Sequence, residues 1–107
     1  MTIFDVINKD LVCSCGRTHR CDVPKLEIGK GAINKLPEFL ADKKNIVLVA
    51  DSNTYPLCGE KVKALLGKTL EAVCYFETPG YYLVPNEEAI AKIEATCRDK
   101  TDFILCI

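Results

Sequence analysis

An uninterrupted apolar run at residues 46–50 restricts the fold more than any other feature of this 107-residue chain. The run contains five aliphatic residues without polar alternation, and it ends in Asp51, Ser52 and Asn53. Such a pattern is typical of a strand that is covered on both faces, as strands are in parallel sheets flanked by helices. The run therefore predicts a central strand of an α/β domain.

Asp51 stands at the point where this strand is predicted to stop. In open α/β sheets, ligands bind just outside the carboxyl ends of the strands, and an acid there can accept hydrogen bonds from both hydroxyls of a nucleotide ribose. This position makes Asp51 a candidate nucleotide-binding residue. In the alternative interpretation, Asp51 only begins the next turn or caps the next helix.

The residues before the central strand carry weaker patterns. A short strand is expected around Leu11 and Val12, and an alternating edge strand is predicted at residues 23–29. A helix is predicted at residues 31–44, with a looser first turn before Pro37. These elements would place one strand and one helix directly ahead of the apolar run.

Two helices and two strands are predicted after the central strand. Thr54 is expected to cap a helix that Gly67 ends, and residues 70–76 form the next strand. Asn86 is expected to cap a second helix, and residues 102–107 form the last strand, with a buried-strand pattern. The positions of the second helix that are expected to face inward are Ile90, Ile93 and Cys97. Helices that alternate with apolar strands indicate a Rossmann-like, mainly parallel sheet flanked by helices.

Length and charge limit the classes of function. A chain of 107 residues suffices for one small domain. Its 14 basic and 15 acidic residues are interspersed and give a formal net charge of -1, which argues against nucleic-acid binding. No apolar run approaches the roughly 18 residues of a membrane-spanning helix, and the N-terminus lacks a signal-peptide pattern. The protein is therefore predicted to be cytoplasmic and to bind neither nucleic acid nor a membrane.

Seven cysteines without a secretory signal are predicted to be reduced thiols rather than a disulfide framework. Four of them fall at apolar positions of predicted helices or strands, and these are expected to be small buried hydrophobes. The four are Cys58, Cys74, Cys97 and Cys106.

The other three cysteines and the single histidine lie within nine residues, as Cys13, Cys15, His19 and Cys21. These residue types suit zinc, but structural zinc sites usually draw paired cysteines, spaced about two to four residues apart, from separate knuckles. Here the pairs are C-x-C and H-x-C on one short loop, so closing a tetrahedron would strain the backbone. We interpret the segment as a polar loop with incidental thiols. A small zinc-stabilised interaction domain is the alternative.

A second alternative comes from the sequence Gly29-x-Gly31-x-x-Asn34. It matches two of the three glycines of the dinucleotide fingerprint, and Asp51 follows 20 residues after Gly31. Against this assignment, the third glycine is replaced, and the preceding residues alternate as an edge strand does. The function that this alternative predicts is a self-contained nucleotide-binding or regulatory module with Gly29 and Gly31 in its phosphate loop.

Four short motifs occur in order along residues 13–107. They are Cys15-Gly16-x-x-His19, Ile28-Gly29-x-Gly31-Ala32 with Leu36-Pro37, Val49-Ala50-Asp51-Ser52-Asn53-Thr54-Tyr55 with Gly59, and Val84-Pro85-Asn86-Glu87-Glu88-Ala89-Ile90. Together they resemble the N-terminal part of the sn-glycerol-1-phosphate dehydrogenases. That family is grouped with glycerol dehydrogenases, iron-containing alcohol dehydrogenases and 3-dehydroquinate synthases. The Glu-x-x-Lys pair of the synthases is missing, because Ile90 and Ala91 stand three residues after Glu87 and Glu88.

The resemblance implies an oxidoreductase of phospholipid metabolism that uses NAD or NADP and acts on glycerol 1-phosphate, dihydroxyacetone phosphate or a related polyol. It implies that Asp51 binds the adenine-side ribose, with Asn53 and Thr54 nearby. The pyrophosphate would be held by a glycine-rich loop directly after the strand at residues 102–107. An acid at the ribose also favours NAD, because it repels the extra phosphate of NADP.

The resemblance further implies that residues 1–107 are an incomplete nucleotide-binding domain, truncated at its C-terminal end. In that family, zinc or another divalent metal is bound by a helical C-terminal domain, which also contributes to the substrate pocket. No residue of this chain is therefore assigned as catalytic or as a ligand of that metal, and the chain alone is expected to be inactive. An incomplete sheet leaves a strand edge uncovered, which predicts a homo-oligomer.

Overall fold

A computed structural model describes residues 1–78, Gly80 and residues 82–107. The chain forms two compact units, residues 1–30 and residues 31–107. In the first unit, a 3-10 turn at Ile3–Asp5 precedes two short antiparallel strands, β1 (Leu11–Val12) and β2 (Thr18–His19). Strand β1 confirms the short strand expected at these two residues.

The predicted edge strand at residues 23–29 is wrong. These residues form neither a strand nor a helix, and Ile28, which should have faced a core, is largely exposed. Alternating side chains make a strand possible, but a strand also needs a partner for its backbone hydrogen bonds. The sequence pattern carries no information about that partner.

The second unit is an α/β structure with a parallel three-stranded sheet. Its strands are β3 (Ile46–Asp51), β4 (Leu70–Phe76) and β5 (Phe103–Cys106), and β3 lies between the other two. Both pairings are parallel. The predicted class, a parallel sheet flanked by helices as in part of a Rossmann-like fold, is confirmed.

Strand β3 is covered on both faces, as its apolar run predicts. Ile46, Val47 and Leu48 have no exposed area. Because successive side chains of a strand point to opposite faces, Ile46 and Leu48 enter one hydrophobic cluster while Val47 enters another. The buried residues of the first cluster are Leu40, Ile46, Leu48, Val62 and Leu66. Those of the second are Val47, Cys74, Phe76 and Ala89.

Short helices form the layers on the two faces. A 3-10 turn at Ala32–Lys35 leads into α1 (Leu36–Phe39), which confirms the loose first turn before Pro37 but ends before the predicted Lys44. A π-helical segment at Tyr55–Gly59 leads into α2 (Glu60–Leu66), which connects β3 to β4. Helix α3 (Glu87–Thr96) connects β4 to β5. None of the helices among the described residues is long and apolar enough to cross a membrane.

Helix α3 begins as predicted, but its buried face differs from the prediction. The N–H of Ala89 donates to Asn86 Oδ1 at 3.0 Å, which confirms the cap. Ala89 and Ile93 pack in the second cluster, whereas Ile90 is 52% exposed and was wrongly placed inside. The buried stripe runs through residues four apart, and Ile90 lies about 100° away from it around the helix.

Strand β5 is an edge strand, and only one of its faces is buried. Phe103 and Leu105 pack against the first cluster, whereas Ile104 is 46% exposed and Cys106 is also exposed. The predictions of a fully buried strand and a buried Cys106 are therefore wrong. Of the other three cysteines expected inside, Cys74 is buried while Cys58 and Cys97 are partly buried.

Part of the connection after β4 lies outside the described residues. The sequence Thr78-Pro79-Gly80 is expected to break the strand, and residues 81–84 are expected to pack their aromatic side chains in a loop, with a brief extended piece as the alternative. Pro79 and Tyr81 lie outside the described residues.

Replacement of Ile46 by alanine tests the two-sided burial of β3. Ile46→Ala should lower the free energy of unfolding by about 2–5 kcal/mol, through lost burial and a residual cavity. Ile104→Ala is the matched control, because Ile104 lies on the neighbouring strand and is half exposed. The control should cost about 1 kcal/mol or less. Urea denaturation measures both values, and equal losses would contradict the described packing.

Candidate functional site

Asp51 is the last residue of β3 and is partly exposed at the carboxyl edge of the sheet. Its Oδ1 accepts hydrogen bonds from the backbone N–H groups of Asn53 and Thr54, both at 2.8 Å. In return, the N–H of Asp51 donates to Thr54 Oγ1 at 3.0 Å. The N–H donors of Thr54 and Asn53 hold the pKa of the Asp51 carboxyl below its usual value. The side chain is therefore fixed in position and anionic at neutral pH.

The second carboxylate oxygen of Asp51, Oδ2, differs from Oδ1 in its hydrogen-bond partners. Within the described residues, Oδ2 accepts no backbone hydrogen bond and the carboxylate has no ion pair, while the Thr54 hydroxyl is a further, weaker contact that also lowers the pKa of the carboxyl. Asp51 thus begins the next turn, as the alternative interpretation predicts, but it uses only Oδ1 to do so. Oδ2 remains available as an acceptor. The predicted cap by Thr54 is not observed, because the Thr54 hydroxyl bonds back to Asp51 and makes no cap hydrogen bond.

A partly buried polar cluster joins the ends of β3 and β4. The N–H of Thr78 donates to Ser52 Oγ at 2.9 Å, and the two hydroxyls lie 3.0 Å apart. Asn53 Nδ2 donates to Thr78 Oγ1 at 3.3 Å, and Thr78 is only 2% exposed. These bonds fix the loop that follows Asp51 against the neighbouring strand.

Sequence reasoning identified Asn53 but missed Ser52 and Thr78. The available signal was a small polar residue one or two positions after each of two neighbouring parallel strands, whose carboxyl ends meet at one edge of the sheet. An open cavity of about 300 Å³ lies beside this cluster. Its described lining residues are Asn53, Thr78, Gly80 and Tyr82. Asn53 therefore links the cavity to the turn that holds Asp51.

The neighbouring strand β5 reaches the same edge. Cys106 pairs with Val49, and the N–H of Ile107 donates to the Val49 carbonyl at 3.1 Å. Val49 precedes Asp51 by two residues. A ligand group held at the carboxyl end of β5 would therefore lie beside the Asp51 turn.

Tyr55 and Gly59 form a packed pair in the segment that leads into α2. The Tyr55 ring meets the Tyr75 ring edge-on, with centroids 5.9 Å apart. Its hydroxyl donates to Glu60 Oε1 at 2.6 Å, and this acceptor raises the pKa of Tyr55. A Cβ at Gly59 would lie 2.4 Å from the Tyr55 ring. The absence of a side chain at Gly59 is therefore what lets the ring reach Tyr75.

A second carboxylate, Asp102, binds backbone N–H groups at the opposite side of the sheet, where the strands begin. Its two oxygens accept hydrogen bonds from the N–H groups of Lys44 and Asn45, both at 3.0 Å. These donors lower the pKa of Asp102. Asp102 thereby attaches the start of β3 to the start of β5, a role that its sequence position does not reveal.

The glycine-based alternative lacks the arrangement that a phosphate loop requires. No strand precedes Gly31 among residues 23–30, all of which are described. Gly31 adopts a left-handed conformation and begins a 3-10 turn, and α1, which follows, has only four residues. The fingerprint needs a strand before the loop and a regular helix after it. The structure therefore does not support Gly29 and Gly31 as a phosphate loop.

The first unit brings three of the four candidate zinc ligands together. The ligand atoms of Cys13, Cys15 and His19 all lie within 4.8 Å of one another, and Cys15 Sγ is 3.2 Å from His19 Nε2. The N–H of Cys15 points at Cys13 Sγ at 3.5 Å and lowers the pKa of that thiol. Cys21 is exposed and is not part of this group.

Comparison with known proteins gives one informative match. The chain is 32% identical over 101 residues to a protein of Halalkalibacterium halodurans named glycerol-1-phosphate dehydrogenase (NAD(P)+). The alignment covers 89% of this chain, and the chain spans about a quarter, 25%, of the relative. No protein-family model matches the chain, and no solved structure matches it. The match shows a distant relationship to a glycerol-1-phosphate dehydrogenase.

Acid unfolding tests the carboxylate contacts of Asp102. Because the folded-state pKa is lowered, the stabilisation is present above the unfolded-state value of about 3.9 and is lost as pH falls through the folded-state pKa. Asp102→Asn should lower the urea midpoint at neutral pH, and the difference from wild type should shrink below about pH 4. A difference that is constant with pH would contradict this assignment.

A double-mutant cycle tests the contact between Gly59 and Tyr55. Gly59→Ala alone should destabilise the protein by about 1–3 kcal/mol, because the added methyl group overlaps the Tyr55 ring. In a Tyr55→Ala background, the same change should be neutral or stabilising, since alanine favours helical backbone over glycine. Urea midpoints of the four proteins give the coupling free energy. An equal cost in both backgrounds would show that the ring does not set the requirement for glycine.

Proposed function

We propose that this chain is the N-terminal nucleotide-binding part of an NAD(P)-dependent dehydrogenase and that Asp51 binds the adenine-side ribose. The observation that carries the proposal is that the two oxygens of the Asp51 carboxylate have different hydrogen-bond partners. Oδ1 is held by the N–H groups of Asn53 and Thr54, while Oδ2 accepts no backbone N–H group among the described residues. An anchored acid with an open oxygen, at the carboxyl end of a central parallel strand, suits ribose hydroxyls as donors.

Asn53 and Thr54 contribute mainly by positioning in this proposal. Their N–H groups orient the Asp51 carboxylate, so that the open oxygen faces a ligand without losing side-chain entropy on binding. The Asn53 side chain also lines the cavity next to Thr78. The cofactor would lie along this edge, with its pyrophosphate toward the carboxyl end of β5.

The charge of Asp51 sets the cofactor preference. Two backbone donors keep the carboxyl ionised, and no cation is paired with it among the described residues. A 2′-phosphate on the ribose would therefore meet an unneutralised negative charge. We accordingly propose NAD as the preferred dinucleotide.

The reaction of the whole enzyme is a further step of the proposal. The relative is named for glycerol 1-phosphate and NAD(P)+, so we propose oxidation of glycerol 1-phosphate, or reduction of dihydroxyacetone phosphate, as the reaction. A divalent metal of the kind used in that family would polarise the alcohol as a Lewis acid. Within the described part of residues 31–107, no three ligand side chains are placed to hold a metal. We therefore assign cofactor binding, and no step of hydride transfer, to this chain.

Titration of the 107-residue chain with NAD, followed by ¹⁵N NMR, tests the ribose site. Weak binding is expected, with shifts at residues 51–54 and at Thr78, and with smaller shifts from NADP. Asp51→Asn keeps an oxygen for the two N–H donors but replaces the open acceptor by a donor. It should weaken NAD binding about tenfold or more, because a hydrogen bond to a charged group is lost.

Asp102→Asn is the matched control for this titration. This substitution also replaces a carboxylate that accepts two backbone N–H groups, but one that lies where the strands begin rather than where they end. Its NAD affinity should equal that of wild type. Equal affinities for wild type and Asp51→Asn, or shifts located away from residues 51–54, would show that Asp51 does not hold the ribose.

A further inference from the structure

The unit of residues 1–30 has no hydrophobic core. All thirty residues are described, and none of them is buried. Folding units of fewer than about 40 residues usually depend on disulfides, a metal or a partner chain. No disulfide is present, because all seven cysteines are free. The unit therefore needs another source of stability.

The polar contacts of this unit are exposed and too weak to replace a core. Asn8 binds both the N–H and the carbonyl of Val23, each at 2.8 Å. Arg20 forms ion pairs with Asp10 and Asp22, at 3.2 and 2.7 Å, and all three side chains are largely exposed. Exposed ion pairs contribute little to stability, because water screens the charges and ordering the side chains costs entropy. These contacts select a conformation more than they stabilise it.

The hairpin of β1 and β2 gathers soft metal ligands at its turn. Cys13 directly follows β1, and its N–H donates to the Arg17 carbonyl at 3.1 Å. Gly16 closes the turn with an N–H donated to the Cys13 carbonyl at 3.0 Å, in a left-handed conformation that favours glycine. His19 lies on β2, where it pairs with Leu11. The turn thus brings Cys15 back toward His19, which the C-x-C spacing alone did not indicate.

The ligand atoms lie close to the geometry that zinc requires. A tetrahedral zinc ion would hold two thiolate sulfurs about 3.8 Å apart, and a sulfur and an imidazole nitrogen about 3.6 Å apart. Cys15 Sγ and His19 Nε2 are 3.2 Å apart, and no pair among the three atoms exceeds 4.8 Å. Shifts of about 1 Å or less, within the reach of exposed side chains, would complete three corners of a tetrahedron.

We propose that Cys13, Cys15 and His19 bind one Zn²⁺ ion, which serves as the structural centre of the unit of residues 1–30. Two thiolates balance the charge of the ion, and the imidazole adds a neutral ligand. Thiolate and imidazole ligands favour zinc over the hard cations Mg²⁺ and Ca²⁺. The exposed position leaves the fourth corner to water or to another external donor. This site is independent of the ribose site at Asp51.

Metal titration of the reduced, chelator-treated 107-residue chain tests the proposal. Co²⁺ is added first, as a spectroscopic probe, and Zn²⁺ is then added as the competitor. One equivalent of Co²⁺ should give the absorption of a tetrahedral thiolate complex, and one equivalent of Zn²⁺ should remove it. In ¹⁵N NMR spectra, Zn²⁺ should shift and protect amides of residues 1–30.

Three variants separate the proposed ligands from the other thiols. Cys15→Ser and His19→Asn should each lose stoichiometric binding. Cys21→Ser is the matched control, because Cys21 is an exposed thiol of the same unit outside the cluster, and it should retain one equivalent. Less than one equivalent of Zn²⁺ in wild type, or binding of equal strength in Cys15→Ser, would overturn the site. Loss of binding in Cys21→Ser would overturn the assignment of three protein ligands.

Discussion

The burial of β3 on both faces is the constraint on which the described α/β unit depends. Since Ile46, Val47 and Leu48 expose no surface, the strand requires a neighbour on each side and apolar layers above and below it. The hydrophobic clusters on the two faces meet that requirement. Polar groups can then approach the strand only at its two ends. Two carboxylates of this unit that accept hydrogen bonds from backbone N–H groups, Asp51 and Asp102, lie at those ends.

Asp51 and Asp102 both accept hydrogen bonds from backbone N–H groups, but they distribute these bonds differently over their two oxygens. Asp102 uses both oxygens to attach the start of β3 to β5, so each of its oxygens already accepts a backbone N–H group. Asp51 uses Oδ1 to fix its own turn, and its Oδ2 accepts no backbone N–H group among the described residues. This difference makes Asp51 the candidate for ligand binding, although both groups have a lowered pKa. A lowered pKa alone would not have distinguished them.

Sequence patterns correctly predicted the elements that are determined by neighbouring residues in the chain. The apolar run gave β3, and the position of Asn86 gave the start of α3, because burial and capping depend on adjacent residues. The strand at residues 23–29 and the burial of Ile90 were wrong, since each depends on what packs against the segment. The hydrogen bond between Thr78 and Ser52 could not be predicted either, because it joins residues that are distant in the sequence. The spacing of the C-x-C segment likewise did not reveal that its turn brings Cys13, Cys15 and His19 together.

A crystal structure of the chain with ADP-ribose bound would test the central claim most directly. ADP-ribose carries the adenine-side ribose and the pyrophosphate without the nicotinamide ring. We expect the hydroxyls of this ribose to donate to Asp51 Oδ2, with Oδ1 still bound to the N–H groups of Asn53 and Thr54. A ribose bound elsewhere, with no ligand contact at Asp51, would contradict it.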